Sequence, residues 1–312
     1  MIAILTGILT TAALAGAVLA LSALGGMLAN RVGVLNLGLE GLMALGGITA
    51  IITVSVIPNP YAGFLAALLV GAVFGVIFAF ATVVLQASQV LCGLALTIAG
   101  SGIAGTVGRS YAGQHAGAVF QGLKVPLLSD IPILGPALFS QNVLIYLAFV
   151  ILPTGFYVLL YRTRHGMNMR AVGENPAAAD AVGIPVRWIR FVYVTLGSAV
   201  SATSGAYLTL AFIPSWSEGI TAGRGWISVA LVIFAGYQPI QIAIGALLFG
   251  CVSALSYVGQ AQNWAVPSAI LSMLPYIVTL AAMMIPKLFL QNVRSWGAAP
   301  QALGTAYFRD QR

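Results

Sequence analysis

GLMALGGITAIITVSVIPNPYAGFLAALLVGAVFGVIFAFATVVLQASQVLCGLALTIAGSGIAGTVG, residues 41–108, runs for 68 residues without a charged side chain. A helix needs about 20 apolar residues to cross the roughly 30 Å hydrocarbon core of a bilayer. This stretch therefore holds three membrane-crossing helices. Four further uncharged stretches, 1–30, 131–161, 191–217 and 225–286, extend the same reading along the chain.

Composition agrees. Hydrophobic residues make up 60% of the 312 and charged residues 6%, against about 45–50% and about 25% in soluble domains. Such a chain cannot cover itself with polar surface, so a soluble globular fold is excluded. Disorder is excluded too, because it needs low hydrophobicity and high charge. The expected fold is all-α: a polytopic membrane protein of about 8–10 transmembrane helices in one domain over 1–312. The expected spans are 3–28, 35–57, 61–85, 88–108, 141–161, 191–212, 226–236, 239–258 and 267–286. Span 226–236 is too short to cross a bilayer at about 1.5 Å per residue. It reads as a half-helix, broken at Gly236-Tyr237-Gln238-Pro239. Residues 1–28 lack a basic leader and exceed a signal-peptide core in length, so they read as the first span.

The net charge is +7 and the pI about 9.7. Arg162, Arg164, Arg170, Arg187 and Arg190 lie between two spans, and Lys287, Arg294, Arg309 and Arg312 follow the last one. This is the positive-inside bias of a membrane protein. The basic residues are not interleaved with groove-reaching polar or aromatic runs, so no nucleic-acid partner is expected; the surrounding partner is membrane lipid. Segment 162–190 and the tail 291–312 are expected in the cytoplasm, with 109–140 and 213–225 outside. Nine crossings then put the N-terminus outside; a merely re-entrant 226–236 would change that side.

The chain carries a faint internal echo. Laying 60–75 on 239–254 matches Ala67, Leu68, Leu69, Gly71 and Val73 with Ala246, Leu247, Leu248, Gly250 and Val252. Upstream, Arg31-Val-Gly33 sits near where Arg224-Gly225 falls in the second copy. On this topology the copies run in opposite directions, as in inverted-repeat transporters. Coincidence among Ala, Leu and Gly is the other reading.

Several chemistries are missing. No GxxxxGK[ST] phosphate loop occurs, and the two lysines, Lys124 and Lys287, follow no Gly-rich turn. HExxH and GxSxG are absent as well. His115 and His165 fall in opposite loops, and neither Cys92 nor Cys251 has a CxxC partner. The sequence therefore predicts no catalytic residue, no metal site and no cofactor.

The polar residues within spans remain. In RVGVLNLGLEGLMALGG (31–47), Asn36 and Glu40 are four apart, the spacing of one helix face. A carboxylate near a membrane span is costly, and is usually paired or functional. Glu40 either caps or pairs near the cytoplasmic boundary, or faces the solute. Ser88, Gln89, Thr97 and Ser101 interrupt the fourth span; Trp226, Ser228 and Tyr237 border the short one. Each either lines a polar path or makes an interhelical hydrogen bond, worth about 0.6 kcal/mol. Asn36, Glu40, Gln89 and Ser228 are the candidates for the path.

MRAVGENPAAADAVGIPVRWIR (169–190) is the most informative loop. Asn175-Pro176 starts a helix, since Asn caps and Pro suits the first turn. Ala177 to Val182 continue it, and Gly183 ends it ahead of Pro185. A short capped helix flanked by arginines is more structure than a basic loop needs, and suits docking into a groove on a soluble partner.

This stretch resembles the cytoplasmic signature of permease subunits of ATP-binding-cassette importers, in the class handling simple sugars, branched-chain amino acids and nucleosides. AAADAVG (177–183) is similar to the EAA–G loop, with Ala177 where Glu would stand. RVGVLNLGLEGLMALGG resembles the N-terminal signature of the nucleoside-type branch. The resemblance implies coupling to an ATPase subunit through Gly173, Glu174, Asn175, Pro176, Ala178, Ala179 and Gly183. It also implies ATP hydrolysis on that separate subunit, an extracytoplasmic binding protein, a second permease (identical or related), and a bacterial plasma membrane. A nucleoside is the first solute expected and a sugar the next. The alternative from the residues alone is an ion-coupled secondary transporter, with Glu40 as the one clear coupling carboxylate.

Overall fold

The computed structural model describes residues 2–123, 135, 140–262, 264, 266–289 and 298–308. The first helix, α1 (Ile2–Arg31), is apolar on every side and buried over most of its length. Gly33, at φ +83°, ends it in a turn, and 34–37 carry no regular secondary structure. Asn36 Oδ1 then accepts from the Gly38 N–H at 2.8 Å, a local turn that opens α2 (Leu39–Val56). Next comes α3 (Pro60–Ala79), lengthened by a π-turn over Phe80–Val84, and then α4 (Gln89–Gly108). α5 (Val143–Tyr146) and α6 (Leu152–Arg162) form one rod through a π-turn at Leu147–Ile151. α7 (Arg164–Glu174) and α8 (Pro176–Ala181) are short. α9 (Val186–Tyr207) carries a π-turn over Leu208–Phe212, followed by α10 (Arg224–Phe234), α11 (Pro239–Ala261) and α12 (Ser268–Phe289).

Among the described residues, six helices are long and apolar enough to cross a membrane: 5–31, 39–56, 60–84, 89–111, 143–162 and 239–261. α9 has the length but buries Ser198, Ser201, Thr203, Ser204 and Thr209, which lower its hydropathy. α10 is the short apolar helix expected from sequence. Among the described residues there is no strand, only two isolated bridges near 112–116 and 215–216.

Close helix crossings build the core. α1 and α9 run antiparallel: a Cβ on Gly25 would overlap Gly197 and Ser201, and Ser201 Oγ donates to the Ser22 carbonyl at 3.0 Å. α3 lies on α9 through Gly71 and Gly75, against Ala202, Ser198 and Thr195. α11 lies on α1 through Gly250 against Ala12. Small residues let backbones approach this closely where lipid offers no competing hydrophobic gain.

These contacts resolve the internal echo as an inverted repeat. The order α1, the lead-in 32–38, α2, α3, α4 recurs as α9, the loop 213–223, α10, α11, α12. α9 runs opposite to α1, and the aligned glycines Gly71 and Gly250 make the corresponding approaches, α3 onto α9 and α11 onto α1.

Three boundaries differ from expectation. The second helix begins at Leu39, so Asn36 stands in the irregular lead-in and shares no helix face with Glu40. α9 begins at Val186 and takes Arg187 and Arg190 into its first turns. Residues 164–174 are helical rather than loop, because Thr163 Oγ1 accepts from the Gly166 N–H at 3.1 Å and caps them. Much of 109–140, with Arg294, Arg309 and Arg312, lies outside the described residues.

Candidate functional site

The half-helix α10 begins inside the bundle. Its Ser228 Oγ lies 3.5 Å from the carbonyl of Leu19, twelve residues along α1 from Arg31. At about 1.5 Å per residue that is about 18 Å from the basic end, near the middle of a roughly 30 Å hydrocarbon core. Asn36, just ahead of α2, donates to Ser198 Oγ at 3.3 Å, twelve residues into α9. α2 and α10 therefore start at similar depth and point to opposite faces.

Glu40 joins them. Its Oε1 accepts from the Gly223 N–H at 2.8 Å and its Oε2 from the Gly225 N–H at 2.6 Å. These amides have no partner within α10, as at any helix start. Ala222 and Gly223 take left-handed φ values of +46° and +75°, which aims the amides at the carboxylate. A Cβ on Gly225 would overlap the Glu40 backbone, so only glycine permits the approach. Glu40 thus caps the start of α10, deep in the bundle rather than at its boundary.

A cavity of about 300 Å³ opens above this junction. Glu40, Ser101, Gly105, Trp216 and residues 219–223 line part of it. Arg224, the nearest cation in sequence, is turned aside to the carbonyls of Ile220 and Thr221 and to the Tyr257 hydroxyl. The other three path candidates stand elsewhere. Asn36 holds Gly38 and Ser198. Gln89 accepts from the Leu35 N–H at 2.7 Å and donates to the Thr305 carbonyl at 3.3 Å. Ser228 is wholly buried, with its hydroxyl on the Arg224 carbonyl at 2.9 Å.

The basic end carries the signature loop. Asn175 Oδ1 accepts from the Ala178 N–H at 3.0 Å, as a cap should, and Gly183, at φ +83°, closes α8. Ala179 is buried, whereas Ala177, Ala178 and Val182 are exposed. Gly173 packs directly on the Arg31 backbone, and its carbonyl accepts from the Ala302 N–H at 3.0 Å. The Arg31 side chain in turn donates to the Tyr237 carbonyl at 2.8 Å, at the far end of α10. A continuous line of contacts thus runs from α7–α8 through Arg31 and α10 to Glu40.

Sequence reasoning missed α7, the partnership of Gly225 with Glu40, and the docking of 298–308. That tail segment is held by Gln86, Gln89 and Arg190, which all donate to its carbonyls. Arg190 was legible only as part of a basic loop. Gly225 had a signal, its placement opposite the 31–33 region in the internal echo.

Inverted halves whose helices stop and start inside the bundle are the architecture of membrane transport proteins. The chain belongs to the branched-chain amino acid transport system / permease component family, whose model matches residues 8–283. It is 34% identical to a Haloferax volcanii protein provisionally named a glucose ABC transporter permease, over 97% of this chain and 98% of that one. It is 32% identical to a Lactococcus lactis subsp. cremoris nucleoside ABC transporter permease, over 93% of each. A solved metal-chelate type ABC transporter, provisionally assigned and inward-facing, superposes with TM-score 0.52 at 16% identity, covering 89% of this chain and 85% of that one. That likeness speaks to the fold alone. The chain is thus a multi-pass ABC transporter permease, and ATP hydrolysis lies on a separate subunit.

Proposed function

We propose that this permease forms half of the path of a nucleoside importer in a bacterial plasma membrane, with its basic end in the cytoplasm. A second permease completes the path, and an extracytoplasmic binding protein delivers the solute to the opposite face. The segment 162–190 couples to the ATPase. Within it Asn175, Pro176 and Gly183 shape α8, Ala178 offers its outer face, and Gly173, Glu174 and Ala179 hold it to the bundle. Val182 supports this, being 77% exposed at the basic end, where a partner surface would cover it.

The single observation that carries the reading is the contact line from α8 through Gly173, Arg31 and Tyr237 to the Glu40 junction. A shift of α8 on ATPase closure has a rigid half-helix through which to reach the middle of the path. ATP and the loaded binding protein favour different states of the permease, and that difference drives the switch. The nucleoside assignment draws on the 31–47 signature and on the Lactococcus relative named for nucleosides; the Haloferax relative named for glucose makes a sugar the competing solute.

The test is purification in mild detergent with co-purifying chains identified, then uptake of labelled uridine and glucose into proteoliposomes holding the assembled complex. ATP-dependent uridine uptake, with an ATPase and a second permease present, is expected. Glucose uptake without uridine uptake would overturn the solute. Transport by this chain alone without ATP would overturn the coupling.

A further inference from the structure

The carboxylate of Glu40 occupies an unusual position. It is the second residue of α2, so it lies at the positive end of that helix, and both its oxygens take amides from the positive end of α10. Each helix start carries about half a positive charge. Two such starts facing one point would bind an anion, and helix starts of this kind receive anionic substrate groups in other transporters. Here a side chain of the protein already fills that place. Glu40 borders the cavity, which Ser101 and Trp216 also line, and it is the one carboxylate among the described lining residues. No cationic side chain lines the cavity among them, since Arg224 is turned to Ile220, Thr221 and Tyr257.

We propose that Glu40 is a specificity-determining residue that pre-fills the anion seat between the starts of α2 and α10. The cavity thereby accepts uncharged, hydroxyl-bearing solutes and turns away those bearing carboxylate or phosphate. The inference deepens the importer reading and rests on it for the identity of the path. A second negative charge entering the cavity meets Glu40 without a compensating cation. At about 5 Å in a partly shielded site, that repulsion disfavours it on the order of a hundredfold. A neutral sugar or nucleoside meets no such barrier, and its hydroxyls can donate to the carboxylate lone pairs that Gly223 and Gly225 leave open.

The test measures the field in the cavity with a pair of small probes and needs no knowledge of the solute. Trp188, Trp226, Trp264 and Trp296 are changed to Phe, leaving Trp216 as the one tryptophan of the full-length permease, which is purified in detergent without its partners for the quenching measurement. Quenching by acrylamide, which is neutral, and by iodide, which is anionic, is compared at constant ionic strength. Acrylamide is expected to quench Trp216 and iodide to do so at least tenfold less well. Glu40→Gln, which keeps the shape and removes the charge, is expected to raise the iodide-to-acrylamide ratio at least fivefold. Glu40→Ala, which empties the seat, is expected to raise it further and to make uridine uptake sensitive to millimolar inorganic phosphate. Should Glu40→Ala fail to fold, Glu40→Gln alone decides. An unchanged ratio in Glu40→Gln would overturn the proposal, as would failure of both probes to reach Trp216. Loss of uridine uptake in the unaltered complex would instead count against the nucleoside reading and leave the quenching result standing.

Discussion

The first half of the bundle brings Glu40 to the crossing point and the second half brings Gly225. Both residues stand second in their helices, α2 and α10, and the two touch. A carboxylate on both sides would set like charges in contact at mid-depth; an apolar residue on both would leave the first amides of α10 unpaired, at a cost of about 1–3 kcal/mol each. One Glu against one Gly satisfies the amides and leaves a single charge. The repeat supplies two half-helices by symmetry, and their chemistry works because that symmetry is broken at one pair.

The comparison breaks most completely at Gly225. Gly225→Leu places a side chain where the Glu40 backbone lies, and uptake is expected to fall below detection, with a lowered thermal midpoint in detergent. Wild-type uptake in a well-expressed Gly225→Leu variant would remove the junction from the path.

Ala178→Arg comes next and separates the coupling end from the junction. Because Ala178 is exposed, the variant is expected to insert and melt normally, yet lose the ATPase on purification and lose uptake more than tenfold. Ala179→Arg is expected to lose uptake and stability together, since Ala179 is only 3% exposed. Retention of the ATPase by Ala178→Arg would contradict docking through α8.

A smaller, paired effect sharpens the likeness between the halves. Gly71→Val and Gly250→Val overfill equivalent crossings, and each is expected to cost about 1–3 kcal/mol. The two midpoints should fall by similar amounts in thermal unfolding. A large loss at one position and none at the other would deny their equivalence.

The smallest effect falls on the lead-in to α2, whose counterpart in the second half is the longer loop 213–223. Asn36→Ala frees the Gly38 N–H and is expected to cost about 1 kcal/mol, read as a modest drop in midpoint with uptake lowered less than fivefold.

Hydrophobic length was enough to place most of the helices, because a bilayer demands uninterrupted apolar runs whatever their partners. The half-helix 226–236 was legible for the same reason, by falling short of that length. α8 was legible from Asn175, Pro176 and Gly183, whose preferences act over a few residues. The Glu40 contact was not. Asn36 and Glu40 fit a helical spacing, but the tertiary bonds of Leu35 to Gln89 and of Asn36 to Ser198 hold 34–37 outside the helix. The Glu40 amide partners lie 183 and 185 positions away, a separation on which local pattern carries no information. The docking of 298–308 was hidden likewise, since its carbonyls are held by side chains from two distant segments, 86–89 and the start of α9.

The opposed directions of the two halves are tested most directly by thiol accessibility. In a Cys92→Ala, Cys251→Ala background, Ser217→Cys and Ala178→Cys are treated in intact cells with a membrane-impermeant thiol reagent. Both positions are exposed, one beside the cavity loop and one on α8. Labelling of Ser217→Cys in intact cells, and of Ala178→Cys only after permeabilisation, is the predicted result. Labelling of both from the same side would contradict the inverted arrangement and the path built on it.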